Sequence, residues 1–73
     1  MSVKTNMKKL REDKKITQAG LAEAVDVSRQ TILFMEKGKY NPSLRLAWRI
    51  SRVLESNIEE VFSFDDEDWT KEE

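Results

Sequence analysis

The sequence predicts a mainly α-helical domain of five helices, with a small two-stranded sheet joining the ends of the folded region. Three observations carry this prediction. Apolar residues recur at three- and four-residue steps along most of the chain. Residues that can cap a helix N-terminus stand before each of the last four apolar runs. Gly38 and the single proline, Pro42, fall between two runs, where a helix has to stop.

The first two helices are predicted within the N-terminal third of the chain. Helix one runs from about Asn6 to Lys14, because Met7 and Leu10 lie on one face among charged residues. Helix two begins at Thr17, whose hydroxyl can accept the N–H groups of a first turn. The apolar face of helix two is predicted to consist of Leu21, Ala22 and Val25.

A short turn separates the second and third helices. Residues 25–27, Val-Asp-Val, leave room for only a three- or four-residue turn, which forces a steep crossing angle. Ser28 caps helix three, which is predicted to run to about Lys37, with Ile32 and Met35 facing the core. Gly38 suits the left-handed position after that helix. This pattern is typical of a helix-turn-helix unit, which inserts its second helix into a DNA groove.

Two further helices and two short strands are predicted around this unit. Ser43 caps helix four, and Asn57 with Glu60 forms a capping-box pattern ahead of a short helix five. The β-prone ends, residues 2–5 and 61–64, are predicted to pair; the alternative is a frayed N-terminus and a longer helix five. The core stripe of helix four is predicted to consist of Leu44, Ala47, Ile50, Ser51 and Leu54.

Length and composition exclude several function classes. With 73 residues the chain forms one domain at most, and a second copy would help to stabilise so small a core. It contains neither cysteine nor histidine, so we expect no disulfide, no metal site and no enzymatic activity. No cofactor or small-molecule ligand is indicated. The charged N-terminal stretch resembles neither a signal peptide nor a membrane span, so a cytoplasmic location without membrane contact is expected.

The charges are segregated along the chain. Residues 1–52 contain twelve Lys or Arg against five Asp or Glu, whereas residues 53–73 contain one Lys against nine acids. The two parts carry +7 and −8, which gives the net charge of −1. Such asymmetry indicates a basic working surface beside an acidic end. We therefore divide the chain into a folded domain, residues 1–64, and an acidic tail, residues 65–73.

The chain contains five motifs in a characteristic order: LRE at 10–12, ITQAGLAEAV at 16–25, VSRQTI at 27–32, EKGKYNPS at 36–43 and IEEVF at 58–62. Together they resemble the Cro/C1-type (XRE-like) helix-turn-helix regulators, and among them the short single-domain repressors. The resemblance implies a lambda-repressor-like fold and a homodimer that binds a palindromic operator in the major groove of double-stranded DNA. It also implies repression of transcription.

The resemblance assigns roles to individual residues. Arg29 and Gln30, at the start of the recognition helix, match positions that reach base edges, and their side chains suit guanine and adenine respectively. Arg11 and Glu36 match an ion pair that positions this helix; the alternative is an independent, solvated pair. The residues that match DNA-backbone contacts are Gln18, Ser28, Thr31, Lys37, Lys39, Tyr40 and Asn41. The expected dimer contacts are Trp48, Ile58, Val61 and Phe64.

The chain departs from the family pattern at several positions. Gly20 replaces a glutamate in helix two, and Asp26 replaces the glycine of the turn, where it can still adopt left-handed geometry. Leu33 and Phe34 stand where polar residues are usual, so Phe34 is expected to contact thymine methyl groups, together with Leu33. The alternative is a protein-interaction module, antitoxin-like or an adaptor, that binds its partner through this pair. Trp48 is expected either in the core or as a dimer anchor.

Overall fold

The computed structural model describes residues 4–63, which form five helices flanked by two short strands. The predicted fold class is confirmed, and the helices follow one another in the predicted order. The elements are β1 (Lys4–Thr5), α1 (Met7–Asp13), α2 (Gln18–Val25), α3 (Arg29–Glu36), α4 (Leu44–Val53), α5 (Ile58–Val61) and β2 (Phe62–Ser63).

Side-chain caps fix where four of the helices begin. Thr17 Oγ1 accepts a hydrogen bond from the Gly20 N–H at 2.9 Å. Ser28 and Ser43 cap α3 and α4 in the same way, each at 3.1 Å. At α5 the backbone N–H of Asn57 donates to a Glu60 carboxylate oxygen at 2.7 Å. Each bond satisfies an N–H group near a helix start that has no partner within the helix.

A residue in the left-handed conformation follows each of the helices α1, α2, α3 and α4. Gly38 has φ 73°, as predicted for the position after the third helix. Asp26 has φ 64° and ψ 48°, so the aspartate does replace glycine in the turn between α2 and α3. Lys15 and Glu55, with φ 59° and 54°, take the same conformation beyond α1 and α4. In these three non-glycine residues the left-handed conformation causes some steric strain, and it turns the chain sharply.

The two ends of the described chain form an antiparallel pair. Lys4 lies opposite Ser63, and Thr5 lies opposite Phe62. The Val61 carbonyl also accepts hydrogen bonds from the Asn6 N–H and the Thr5 hydroxyl, both at 2.9 Å. The predicted pairing of the ends is therefore confirmed for residues 4–5 and 62–63, and α5 ends at Val61. Positions 2, 3 and 64 of the predicted strands lie outside the described residues.

The core lies between α2, α3 and α4, with Met7 of α1 and the α5–β2 segment closing it. Leu44 is an exception to the predicted stripe on α4, because it is 77% exposed. As the first residue of α4, it extends past the edge of the core. Among residues 4–63, no helix is long and apolar enough to cross a membrane. The core residues are Met7, Leu21, Ala22, Val25, Ile32, Met35, Ala47, Ile50, Leu54, Val61 and Phe62.

Candidate nucleic-acid interface

Helix α3 presents polar and apolar residues on its outer face. Ile32 and Met35 are buried against α2, and they fix which way the helix faces. Arg29 and Gln30, in its first turn, are exposed. Phe34, one turn later, is 40% exposed, whereas Leu33 is half-buried. The helix therefore offers two long polar side chains and one aromatic ring to any molecule that meets its outer face.

The start of α3 is held by two hydroxyl groups. Ser28 Oγ accepts from the Thr31 N–H and also lies 2.9 Å from Thr31 Oγ1. Ser28 is exposed and Thr31 is half-buried. A hydroxyl group has one donor hydrogen, and one of these two hydroxyls uses it in the Ser28–Thr31 bond. The other hydroxyl can donate to a phosphate oxygen while the cap persists, and both can do so only if their mutual bond breaks.

A buried polar network joins α1, α2 and α3 behind this face. Arg11 donates to Glu36 from Nε at 2.7 Å and from Nη2 at 3.3 Å. Arg11 also donates to the Ile16 carbonyl at 2.8 Å, and the Gln18 amide donates to Glu36 at 3.1 Å. The side chains of Arg11 and Glu36 are only 8% and 4% exposed, so this is not a solvated pair. The hydrogen bond to Glu36 raises the pKa of Arg11, so the guanidinium stays charged.

The loop after α3 contains the remaining residues that are predicted to contact the DNA backbone. Lys37, Lys39, Tyr40 and Asn41 are all exposed, and Tyr40 retains 46% of its accessible surface. The Lys39 N–H donates to the Phe34 carbonyl at 2.9 Å, which ties the loop to the end of α3. Within residues 4–63, the ammonium groups of Lys37 and Lys39 form no ion pair.

The predicted dimer contacts separate into different environments. Trp48 is 54% exposed on α4, so it does not belong to the core, and Ile58 is half-buried. The prediction is wrong for Val61, because its side chain is fully buried in the core and has no surface to offer a second copy. Phe64 lies outside the described residues, as does Trp69.

Three contacts were missed by the sequence analysis. The Gln18–Glu36 hydrogen bond joins residues on different helices, and no local pattern indicates it. Lys14 Nζ lies 2.7 Å from Glu55 Oε1, and this contact lowers the pKa of the Glu55 carboxyl. The guanidinium of Arg52 lies over the Trp48 ring, 5.3 Å from its centroid. Their spacing of four residues along one helix could have revealed this last contact.

The exposed groups of this surface are suited to binding an anionic partner. Within the part of the chain that the structure describes, no group of carboxylates could hold a metal ion. On α3 and in the loop after it the exposed charged groups are cations, namely Arg29, Lys37 and Lys39, whereas the turn before α3 exposes the Asp26 carboxylate. Guanidinium and ammonium groups bind phosphate oxygens, and a helix with exposed polar residues can read base edges.

Comparison with known proteins agrees with this geometry. A family profile described as helix-turn-helix matches residues 7–61. An HTH-type transcriptional regulator of Archaeoglobus fulgidus is 51% identical over 70 residues, covering 94% of this chain and all of the relative. The immunity repressor protein of Bacillus phage phi105 is 35% identical over 54 residues, covering 74% of this chain and 38% of the relative.

Solved structures show the same arrangement. The restriction-modification controller protein of Aeromonas hydrophila superposes with a TM-score of 0.69 at 26% identity, covering 74% of this chain and 82% of its own. The N-terminal DNA-binding domain of SinR from Bacillus subtilis gives 0.66 at 26% identity, covering 73% of this chain and 78% of that domain.

Proposed function

The chain belongs to the helix-turn-helix family of DNA-binding transcriptional regulators, which are not enzymes, and on this basis we propose that it is a repressor that binds a palindromic operator as a homodimer. The observation that carries the proposal is the exposed first turn of α3, with Arg29 and Gln30, on a helix fixed by the buried Arg11–Glu36 pair. The likeness to a phage immunity repressor supports repression over activation. The operator DNA would lie in the cytoplasm, and residues 1–64 would form the binding and dimerisation domain.

Base recognition is assigned to the outer face of α3. Arg29 would donate two hydrogen bonds to O6 and N7 of guanine, and Gln30 would bond N6 and N7 of adenine. The exposed part of the Phe34 ring would contact a thymine methyl group, with Leu33 beneath it. These contacts supply sequence specificity, because they depend on groups that differ between base pairs.

Affinity is assigned to contacts with the phosphate backbone. The exposed ammonium groups of Lys37 and Lys39 would bind the strand beyond the C-terminal end of α3, together with Tyr40 and Asn41. Gln18 stands at the start of α2, where the helix dipole favours a phosphate. Its amide has a second N–H besides the one that bonds Glu36, so the network orients this group while leaving a donor. Ser28 and Thr31 would bond the phosphate nearest to the start of α3.

We assign the dimer interface to the surface around Trp48. This ring is 54% exposed, and the half-buried Ile58 borders the same groove. Large aromatic side chains in such positions often anchor protein interfaces. Two copies related by a two-fold axis would present their α3 helices to successive major grooves, about 34 Å apart.

The experiment that tests this function begins with selection of bound sites from random DNA. Because a symmetric dimer presents two identical α3 helices to the DNA, the selected sequence should be palindromic. Binding by the selected site and by a scrambled duplex is then compared by fluorescence anisotropy. The Arg29→Ala variant should lose about 5- to 150-fold on the selected site and relax the base preference at one position.

The matched control is Lys39→Ala, which should weaken both duplexes alike and make binding less sensitive to salt. Equal losses on both duplexes for Arg29→Ala would contradict the assignment of that residue. Failure of the unmodified protein to bind any duplex at low salt would favour a protein partner for Leu33 and Phe34 instead.

A further inference from the structure

Three arginines form a stripe along the outer face of α4. Arg45, Arg49 and Arg52 follow one another at steps of four and three residues, so they share one side of the helix. The opposite side carries Ala47 and Ile50, which are buried in the core. Arg45 and Arg52 are exposed, and Arg49 is half-buried. We call these three residues the arginine stripe.

The guanidinium groups of the arginine stripe are open to an anionic partner. Within residues 4–63, Arg45 and Arg49 form neither an ion pair nor a side-chain hydrogen bond. Arg52 stacks on the Trp48 ring at 5.3 Å, and a stacked guanidinium keeps its N–H edge available for carboxylate oxygens. Stacking also holds this side chain in place, so less conformational freedom is lost when an anion binds.

The sequence itself contains a complementary anion. Residues 65–68 read Asp-Asp-Glu-Asp, four consecutive carboxylates, and they lie outside the described residues. We call them the acidic run. Fully extended, four residues place their first and last Cα atoms about 10 Å apart. Along α4, Arg45 and Arg52 are seven residues apart, which is also about 10 Å. The acidic run therefore matches the stripe in length as well as in charge.

The chain connection brings the acidic run within reach of the arginine stripe. Ile58 borders the same groove as Trp48 and Arg52, and α5 packs against α4. From Ile58 the chain passes through three helical steps and two extended ones, so Ser63 lies within about 12 Å of it. Asp65 follows two residues later.

Acidic side chains on α5 also direct the acidic run toward α4 and away from α5. Glu59 and Glu60 are exposed on α5, immediately before the tail, and would repel the acidic run from that helix. Glu55 also borders the groove, but its carboxylate is paired with Lys14 at 2.7 Å. The arginine stripe places three cations on one face of α4, the helix against which α5 packs.

We propose that the acidic run of the same chain docks along the arginine stripe and covers this basic face of α4. Individual exposed ion pairs are weak. A short tether nevertheless gives the acidic run an effective concentration in the millimolar range, so several weak contacts together keep it bound. The docked carboxylates occupy the positions that phosphate groups would otherwise take, which leaves the outer face of α3 as the main anion-binding surface. This contact goes beyond the proposed repressor function. Arg45 and Arg49 lie outside the Trp48 groove that is assigned to the second copy, and only Arg52 borders both surfaces.

The test uses a nitroxide label in the full chain without DNA. The chain has no cysteine, so Thr70→Cys provides a single labelling site beside the acidic run. Signal loss in the amide NMR spectrum then reports which residues lie near the label. At about 0.01 M salt, where the Debye length is about 30 Å, the expected loss beyond the neighbouring α5 and β2 is on the outer face of α4, around the arginine stripe. At about 1 M salt the loss should disappear, because charges are then screened beyond about 3 Å.

Two pairs of matched variants separate this contact from general charge effects. Arg45→Gln/Arg49→Gln should abolish the selective loss on α4, whereas Lys8→Gln/Lys15→Gln, which removes the same charge from α1 and its following turn, should preserve it. In the tail, Asp65→Asn/Asp66→Asn should weaken the loss, and Glu72→Gln/Glu73→Gln should leave it unchanged.

Three outcomes would overturn the proposal. The first is signal loss centred on α3 and the loop after it, or on α1, instead of α4. The second is signal loss spread evenly over the whole surface. The third appears on mixing labelled chains with isotope-enriched, unlabelled chains. Loss around Arg45 and Arg49 of the unlabelled chains that about 1 M salt removes would show that the acidic run binds a second copy, whereas loss near Trp48 that survives this salt comes from the proposed dimer. DNA affinity is measured in a separate experiment. The NMR result can therefore be interpreted even if the protein does not bind an operator.

Discussion

Replacing Glu36 with glutamine should destabilise the folded protein by about 3 kcal/mol. The Glu36 carboxylate accepts two hydrogen bonds from Arg11, at 2.7 and 3.3 Å, and one from Gln18 at 3.1 Å. An amide keeps one acceptor oxygen and turns the other position into a donor that faces the guanidinium. Arg11, with 8% side-chain exposure, would then remain buried without its counter-charge.

The magnitude follows from this burial. Removing one partner of a buried ion pair costs about 3–5 kcal/mol. The lower end applies here, because Arg11 keeps its 2.8 Å bond to the Ile16 carbonyl and glutamine keeps one acceptor. A domain of 73 residues has a total free energy of unfolding of about 4–11 kcal/mol. The loss would lower the melting temperature by about 12–24 °C.

Urea unfolding followed by far-ultraviolet circular dichroism measures this loss as a lower midpoint at constant m-value. The matched control is Lys9→Gln, which removes an exposed pair with Asp13 at 3.8 Å and should cost less than about 0.5 kcal/mol. A Glu36→Gln variant no less stable than this control would refute the reasoning. Arg11→Met/Glu36→Leu removes both charges and should be more stable than Glu36→Gln alone.

Three further predictions concern α2, α3 and the end of α4. Gly20→Ala should raise the free energy of unfolding by about 0.5 kcal/mol in the same assay. A methyl group there gains up to about 1 kcal/mol of helix propensity but meets Thr17 Oγ1 at 3.1 Å, so a loss would show that the cap cannot shift. Phe34→Ala should change the selected DNA site at one thymine, and an unchanged site would exclude the methyl contact. Lys14 lowers the pKa of Glu55, so this contact stabilises the fold above the ordinary pKa of the carboxyl and is lost as the pH falls through the lowered value. Carbon NMR should find the midpoint of Glu55 lower than in Lys14→Gln, and equal midpoints would contradict the pairing.

Local features of the fold could be predicted because their causes are local. A hydroxyl at a helix start needs only the N–H three residues later, so the positions of Thr17, Ser28 and Ser43 were sufficient to mark three helices. The terminal strands were predictable from their β-prone residues, although nothing local indicates which residues pair. The Arg11–Glu36 pair was expected from family resemblance alone, since its members are 25 residues apart.

Features that depend on the edges of the core could not be predicted from periodicity. Leu44 follows the spacing of the buried residues on α4, but the first turn of this helix extends beyond the core and leaves it exposed. Val61 was expected in the dimer interface but is buried, because the chain turns into β2 immediately after it and its side chain points into the core. Periodicity identifies one face of a helix, whereas the extent of the neighbouring elements decides which residues of that face are covered.

The pairing of β1 with β2 has a consequence for how the molecule opens. Thr5 and Phe62 are paired across 57 positions of sequence, and each strand has only two residues. Pairing these ends closes a long loop in exchange for only the few hydrogen bonds that two-residue strands can form, and strands this short are marginal by themselves. We therefore expect the ends to separate in partial opening events while α2 and α3 stay folded. Native-state hydrogen exchange should then find less protection at the Asn6 amide than at buried amides of α2.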